Sequence, residues 1–216
     1  MNQLDKSKIK ICGIKEISTL DCCIKNKVDY FGLVFYKKSP RNILYNDAQK
    51  LLNHKKNKHI SSVGVFVNES IEDLRNILSK LKLNFVQLHG DEDSSYIDLI
   101  KKKEEIKIIK NIPINSPEDF LKTKKYFNAD IFLFDYKPLQ NELPGGNAKT
   151  FNWDLIRNIK VDKPWFLSGG INIDNINEIK NFAIPYGIDI SSGVEDKLGI
   201  KDNNKISMLI NKYESI

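Results

Sequence analysis

The stretch DIFLFDY, residues 130–136, decides how this chain folds. Between its aspartates stand Ile131, Phe132, Leu133 and Phe134 with no polar residue among them. A strand with one wet face alternates apolar and polar side chains; this one offers water neither face. Strands of that composition are covered on both sides, as in parallel sheets flanked by helices. The pattern recurs along the chain, in IKICGI (9–14), YFGLVF (30–35), SSVGVFV (61–67), FVQLHG (85–90), IKIIKNI (106–112), PWFLSGG (164–170) and GIDISSG (187–193).

Between these runs lie amphipathic stretches at 17–27, 45–56, 70–81, 93–103, 116–127, 152–159, 173–181 and 202–213. Ser18 or Thr19 is the cap candidate of the first and Asn46 of the second; Ser70 and Asp73 have capping-box spacing. Eight strand–helix units predict an α/β protein, a closed (β/α)8 TIM barrel, forming a single domain over residues 1–216. An open doubly wound sheet is the alternative. It would carry G-x-G-x-x-G after the first strand, where Gly13 stands alone.

Composition narrows the function classes. The net charge of +6 invites a nucleic-acid reading, but only Arg41, Arg75 and Arg157 among 34 basic residues are arginine. Lysine is spread along the whole chain, so the charge reads as a solvated surface and no nucleic-acid partner is expected. No run approaches the length of a membrane span, and MNQLDKSKIK lacks the apolar core of an export signal. Cys12, Cys22 and Cys23 form no disulfide framework, which fits a reducing cytoplasmic compartment. No H-E-x-x-H, His/Cys cluster or P-loop is present, so neither metal nor cofactor is expected.

In such barrels the chemistry sits at the C-terminal ends of the strands. There the chain places Cys12, Arg41, His89, Asp135, Ser168-Gly169-Gly170 and Ser191-Ser192-Gly193. Small residues let backbone N–H groups approach an anion, and the loops after strands seven and eight commonly hold phosphate. SGGI and SSGVE together read as a phosphate cradle, built from Gly169, Gly170, Ser191, Ser192 and Gly193. The simpler reading is that these glycines permit tight turns. A carboxylate beside the IFLF wall has its charged form disfavoured, which suits a general acid; Asp135 reads equally as a turn aspartate bonded to its own backbone. Taken alone, Cys12 reads first as a packing cysteine, although an electropositive site would favour its thiolate. His89 either contacts substrate, orients a neighbour or caps its own turn. Arg41, in a chain that defaults to lysine, is a candidate carboxylate clamp.

The series KICGI, GLVFYKKSPRNI, VGVFVN, VQLHGDE, FDYK with PGGNAKTFNWDLI, FLSGGI and GIDISSGVEDKLGIKD resembles the phosphoribosylanthranilate isomerases of tryptophan biosynthesis, in order from about Lys8 to Lys212. The resemblance implies a cofactor-free Amadori rearrangement of a small phosphorylated substrate, by a monomer or homodimer. It implies Cys12 as general base, Asp135 as general acid, Arg41 on the anthranilate carboxylate, the SGG and SSG loops on the phosphate, and a closing loop at Gly145-Gly146. Two positions depart from the family pattern: Ala148 stands where a glycine is usual, and Lys15 where threonine is usual. A paired-aspartate site would be expected for the related histidine-pathway isomerisation; with Cys12 on the first strand, a single activity is expected. Other phosphate-binding barrels, or a non-catalytic basic binding protein, are the competing readings. A metal-dependent epimerase would need histidines and acids clustered at the strand ends, and indole-glycerol-phosphate synthase a lysine–glutamate pair there.

Overall fold

The computed structural model describes residues 7–56, 58–138, 145, 149–157 and 159–215. Eight parallel strands close on themselves in sequence order: β1 (Lys8–Cys12), β2 (Tyr30–Val34), β3 (Ser61–Phe66), β4 (Phe85–Leu88), β5 (Lys107–Ile114), β6 (Ile131–Tyr136), β7 (Trp165–Leu167) and β8 (Gly187–Ile190). β1 pairs with β2 on one side and with β8 on the other, Cys12 facing Gly32 and Lys10 facing Asp189. The (β/α)8 expectation holds.

The strand composition explains why two cores form. Side chains alternate across each strand, so in β6 Ile131 and Leu133 fill the barrel with Val63, Ile109 and Phe166. Phe132 and Phe134 pack outward with Phe31, Val86 and Ile108 against the helical layer. The same alternation turns Asp135 inward, one residue before β6 ends. At the opposite, N-terminal end, Tyr30 lies edge-on to Phe85 and Phe166 with centroids 5.3 and 5.4 Å apart, and its hydroxyl is 2.8 Å from that of Tyr186. This aromatic layer plugs one mouth of the barrel.

Helices α1 (Ile17–Lys25), α2 (Tyr45–His54), α3 (Ile71–Lys80) and α4 (Ser94–Lys101) follow the first four strands. Ser70 caps α3 as expected, accepting the Asp73 N–H. The other cap expectations fail: Glu16 and Leu44 occupy the N-cap positions of α1 and α2 and make no side-chain cap bond. Thr19 is instead turned into the core. After β5, β6 and β7 the expected helices are 3-10 segments, Pro117–Tyr126, Trp153–Ile156 and Ile176–Asn181. Asparagines account for two of the shortened starts. Asn172 Oδ1 accepts the N–H groups of Asp174 and Asn175, Asn175 Oδ1 accepts that of Asn172, and Asn152 Oδ1 accepts that of Asp154. These local bonds offer the backbone an alternative to a first helical turn.

A feature absent from the sequence reading follows β8. A three-residue 3-10 turn, Ser192–Val194, leads into an antiparallel hairpin, β9 (Glu195–Lys197) and β10 (Ile200–Lys201), before α5 (Asn203–Glu214). Asp202 caps α5 through the N–H groups of Asn204 and Lys205.

Candidate active site

The C-terminal ends of the strands surround two adjoining cavities. One is lined by Cys12, Val34, Tyr36, Arg41, Val65, Gln87, His89 and Asp135; the other by Lys149, Ser168, Gly169, Gly170, Ile171 and Ser192. Asp135, Gly145, Ser168, Asp189 and Ser191 border both. The first has an apolar wall with one arginine at its rim. The second is made of small residues and backbone. All the candidates from strand ends one, two, four, six, seven and eight therefore meet, Gly193 excepted.

Cys12 is buried on the inner face of β1, and its place depends on a missing side chain. A Cβ on the paired Gly32 would stand 2.7 Å from the Cys12 sulfur. Burial pushes the Cys12 thiol up, Lys10 and Lys201 oppose that shift, and the net direction is upward. The nearby cations favour the thiolate as expected, but removal from water outweighs them.

Asp135 makes the local backbone bond of its turn reading and also faces His89. Its Oδ1 accepts the N–H of Tyr136 at 2.8 Å, while Oδ2 lies 3.5 Å from His89 Nε2. His89 Nδ1 is in turn 2.9 Å from Gln87 Nε2, so His89 is oriented from β4 towards the carboxylate and does not cap its own turn. Gly169, with φ of +90°, leaves room for this acid: a Cβ there would be 2.9 Å from Asp135 Oδ1.

Arg41 lies in the loop after β2, as expected, and is buried there. Its Nε and Nη2 donate to the two carboxylate oxygens of Glu195 at 2.7 and 2.9 Å. Lys201 donates to the same Glu195 at 2.7 Å and to the carbonyl and hydroxyl of Ser191 at 3.0 and 3.2 Å. Burial pulls Glu195 up, but Arg41 and Lys201 outweigh it and hold the carboxyl below the usual range. For Lys201 burial wins and the ammonium lies below its ordinary value. Ser191 Oγ donates to the carbonyl of Cys12 at 3.1 Å, joining this network to β1.

In the cradle, Gly170 has a φ of +63° and packs on the backbone of Lys149 and Thr150. Gly193 does not border the cavity; it lets the turn after β8 pack against the carbonyl of Ile171. The turn after β8 is too short to act as a helix dipole. Gly145 borders both cavities beside His89, whereas Gly146, Asn147 and Ala148 lie outside the described residues.

Sequence reasoning missed Lys10, Gly32, Gln87, Lys149, Asp189, Glu195 and Lys201. For Lys10 and Asp189 the signal was present, as charged residues at inward positions of β1 and β8. For Glu195 and Lys201 it was not, because the hairpin that joins them was unread.

The arrangement sets a thiol and a carboxyl on walls separated by β7 and β8, with an anion-sized cradle on one side and an arginine on the other. Such a cavity can exchange protons with a substrate anchored at both ends. Residues 9–212 match the family model described as N-(5'-phosphoribosyl)anthranilate (PRA) isomerase. An N-(5'-phosphoribosyl)anthranilate isomerase of Thermoanaerobacter sp. (strain X514) is 39% identical over 209 residues, covering 97% of this chain and 98% of the relative. The crystal structure of phosphoribosyl anthranilate isomerase from Thermotoga maritima superposes with a TM-score of 0.87 at 32% identity, covering 97% of this chain and 100% of that one. A structure of such an isomerase in complex with reduced 1-(o-carboxyphenylamino)-1-deoxyribulose 5-phosphate gives a TM-score of 0.82 at 31% identity, with 97% and 100% covered. With the barrel, the cavity and these matches in agreement over nearly its whole length, the chain belongs to the phosphoribosylanthranilate isomerase family.

Proposed function

We propose that this barrel converts N-(5-phosphoribosyl)anthranilate into 1-(2-carboxyphenylamino)-1-deoxyribulose 5-phosphate, a step of tryptophan biosynthesis. The observation that carries the assignment of roles is the shared cavity, in which inward-facing Cys12 and Asp135 stand between Arg41 and the loops after β7 and β8. The substrate has a carboxylate on an aromatic ring at one end and a phosphate at the other. The ring fits the Val34, Tyr36 and Val65 wall with its carboxylate towards Arg41. The phosphate fits the cradle of Ser168, Gly169, Gly170, Ser191 and Ser192, with Lys149 at its edge.

Asp135 protonates the ribose ring oxygen and the ring opens to an iminium. The cationic nitrogen acidifies the adjacent carbon, and Cys12 takes its proton to give an enolamine. Tautomerisation gives the ketose. The His89 imidazole beside Asp135 and the Tyr136 N–H fix the direction in which the acid points.

The test is isomerase turnover of freshly prepared phosphoribosylanthranilate by wild type, Cys12→Ser and Asp135→Asn. General acid and base groups contribute about 10²–10⁴-fold each. Both variants should lose activity on that scale while remaining folded. Near-full activity in Cys12→Ser would return Cys12 to the role of a packing residue.

A further inference from the structure

A buried thiol is a poor base, and the isomerisation proposed above needs a good one. The inner face of β1 offers the means one layer below Cys12. Lys10 is fully buried, and its Nζ lies 2.9 Å from both carboxylate oxygens of Asp189 on β8. Lys10 and Cys12 stand two residues apart on the same inner face of β1, and Asp189, the partner of Lys10, borders the cavity that Cys12 lines.

Stability alone does not account for this pair. Taking two charges out of water costs more than their attraction reliably returns, and apolar replacements of buried pairs are often neutral or stabilising. Other inward positions, on β3, β5 and β6, follow that economy with Val63, Ile109 and Leu133. Lys10 breaks the apolar pattern directly beneath the one inward thiol.

We propose that Lys10 is a positioning residue for this chemistry: its ammonium, anchored by Asp189, is the counter-ion that lets the Cys12 sulfur stand as a thiolate. The inference rests on the reading of Cys12 as the base. When the thiolate forms, the thiol proton leaves to solvent and the electron pair stays on sulfur. In the reaction the thiolate takes the carbon-bound proton and becomes a thiol. Lys10 neither gains nor loses a proton. Burial pulls its ammonium down, but Asp189 and Cys12 outweigh this and keep it above the ordinary lysine range, so it stays charged. The other charged groups around the sulfur are committed elsewhere. Lys201 on β10 is bonded to Ser191 and Glu195, Arg41 to Glu195, and Asp135 with His89 stands on the far wall.

The test is the pH dependence of Cys12 alkylation by iodoacetamide, taken as the difference from Cys12→Ser so that Cys22 and Cys23 do not contribute. Lys10→Met alone would strand the Asp189 charge, so the informative variants are Lys10→Met with Asp189→Asn, and Asp189→Asn alone. Chemical denaturation checks that each is folded. The double variant should titrate at least about one pH unit higher, which is about tenfold slower alkylation at a fixed pH below both values. Its kcat/KM profile should have the acid limb displaced the same way. Asp189→Asn alone should titrate lower, because the Lys10 charge is then unopposed. A mere packing role predicts no such opposite movement. An unmoved titration in the folded double variant, or an upward shift in Asp189→Asn, overturns the proposal. The turnover of Cys12→Ser judges the base assignment separately: an active Cys12→Ser with shifted titrations would sink that assignment while leaving the Lys10–Cys12 pairing in place.

Discussion

Gly32→Ala is the smallest change that should disable this site without touching a charged or reactive group. In β2 a Cβ at position 32 would stand 2.7 Å from Cys12 Sγ, 3.0 Å from its Cα and 3.2 Å from its Cβ. Favourable contacts lie near 3.5–4.0 Å, so the sulfur is encroached upon by roughly 1 Å. Overpacking of this kind costs about 1–3 kcal/mol of stability. A displacement of about 1 Å at a reacting atom costs on the order of 10²-fold in rate. The expected result is a kcat reduced on that scale with KM nearly unchanged, since neither the phosphate cradle nor Arg41 is disturbed. Gly64→Ala supplies the control. It is also a strand glycine without room for a methyl group, but its Cβ would meet Leu83 and Phe66 outside the barrel, at 2.6 and 2.9 Å. Steady-state kinetics and urea denaturation of both variants separate the effects: both should lose stability, and only Gly32→Ala should lose kcat. If the two lose kcat equally, or Gly32→Ala keeps it, the placing of Cys12 by an absent side chain is wrong.

Glu195→Gln should raise KM about tenfold or more, worth about 1.4 kcal/mol per decade, with a smaller change in kcat, because Arg41 loses the carboxylate that aims it. The same residue sets a pH dependence. Its folded-state value is depressed, so its stabilisation is complete above the ordinary glutamate value of about 4.3 and is lost as pH falls through the lower folded value. Wild type should therefore lose more stability than Glu195→Gln on acidification below that point, read from denaturation midpoints. Lys110→Met should destabilise by about 3–5 kcal/mol, because Glu92, 3.0 Å from Lys110 and nearly fully buried, is left with an uncompensated charge. Its kcat at a permissive temperature should be largely kept, since Lys110 bonds Glu92 and the Gly90 carbonyl and does not border the catalytic cavities.

The barrel was legible because its signal is redundant: short, largely apolar runs recur eight times between amphipathic stretches, and one misread strand would not have changed the closure. The helical layer was less legible where side chains compete with the backbone. Nothing in the periodicity of residues 173–181 says that Asn172 and Asn175 will bond the local backbone and delay the helix to Ile176. At the site, individual residues could be named from strand ends, but their partners could not. Arg41 and Glu195 are 154 positions apart, and Lys10 and Asp189 179 apart. Such pairings depend on the barrel register, which no local pattern carries. Gly32 shows the same limit from the other side: its function is the space it leaves for a residue on another strand.

That register has a chemical consequence. Arg41, Glu195, Lys201, Ser191 and the Cys12 carbonyl form one continuous chain of bonds from the loop after β2, through the β9–β10 hairpin, to the end of β1. The hairpin braces that loop as well, since Gly199 packs directly on the Pro40 carbonyl. Arg41 and the strand that bears Cys12 are therefore fixed relative to each other before substrate arrives, as the roles proposed for them require. Groups held in this way need no reorganisation at the moment of proton transfer, which is where preorganised polar sites gain their rate. Asp135, the proposed acid, is held by a separate set of contacts, the Tyr136 N–H and His89, on the wall that also carries Gly145. A substrate that spans the cavity is what brings the two halves into one reaction coordinate. Loss of either anchor, phosphate or carboxylate, should thus reduce kcat as well as binding.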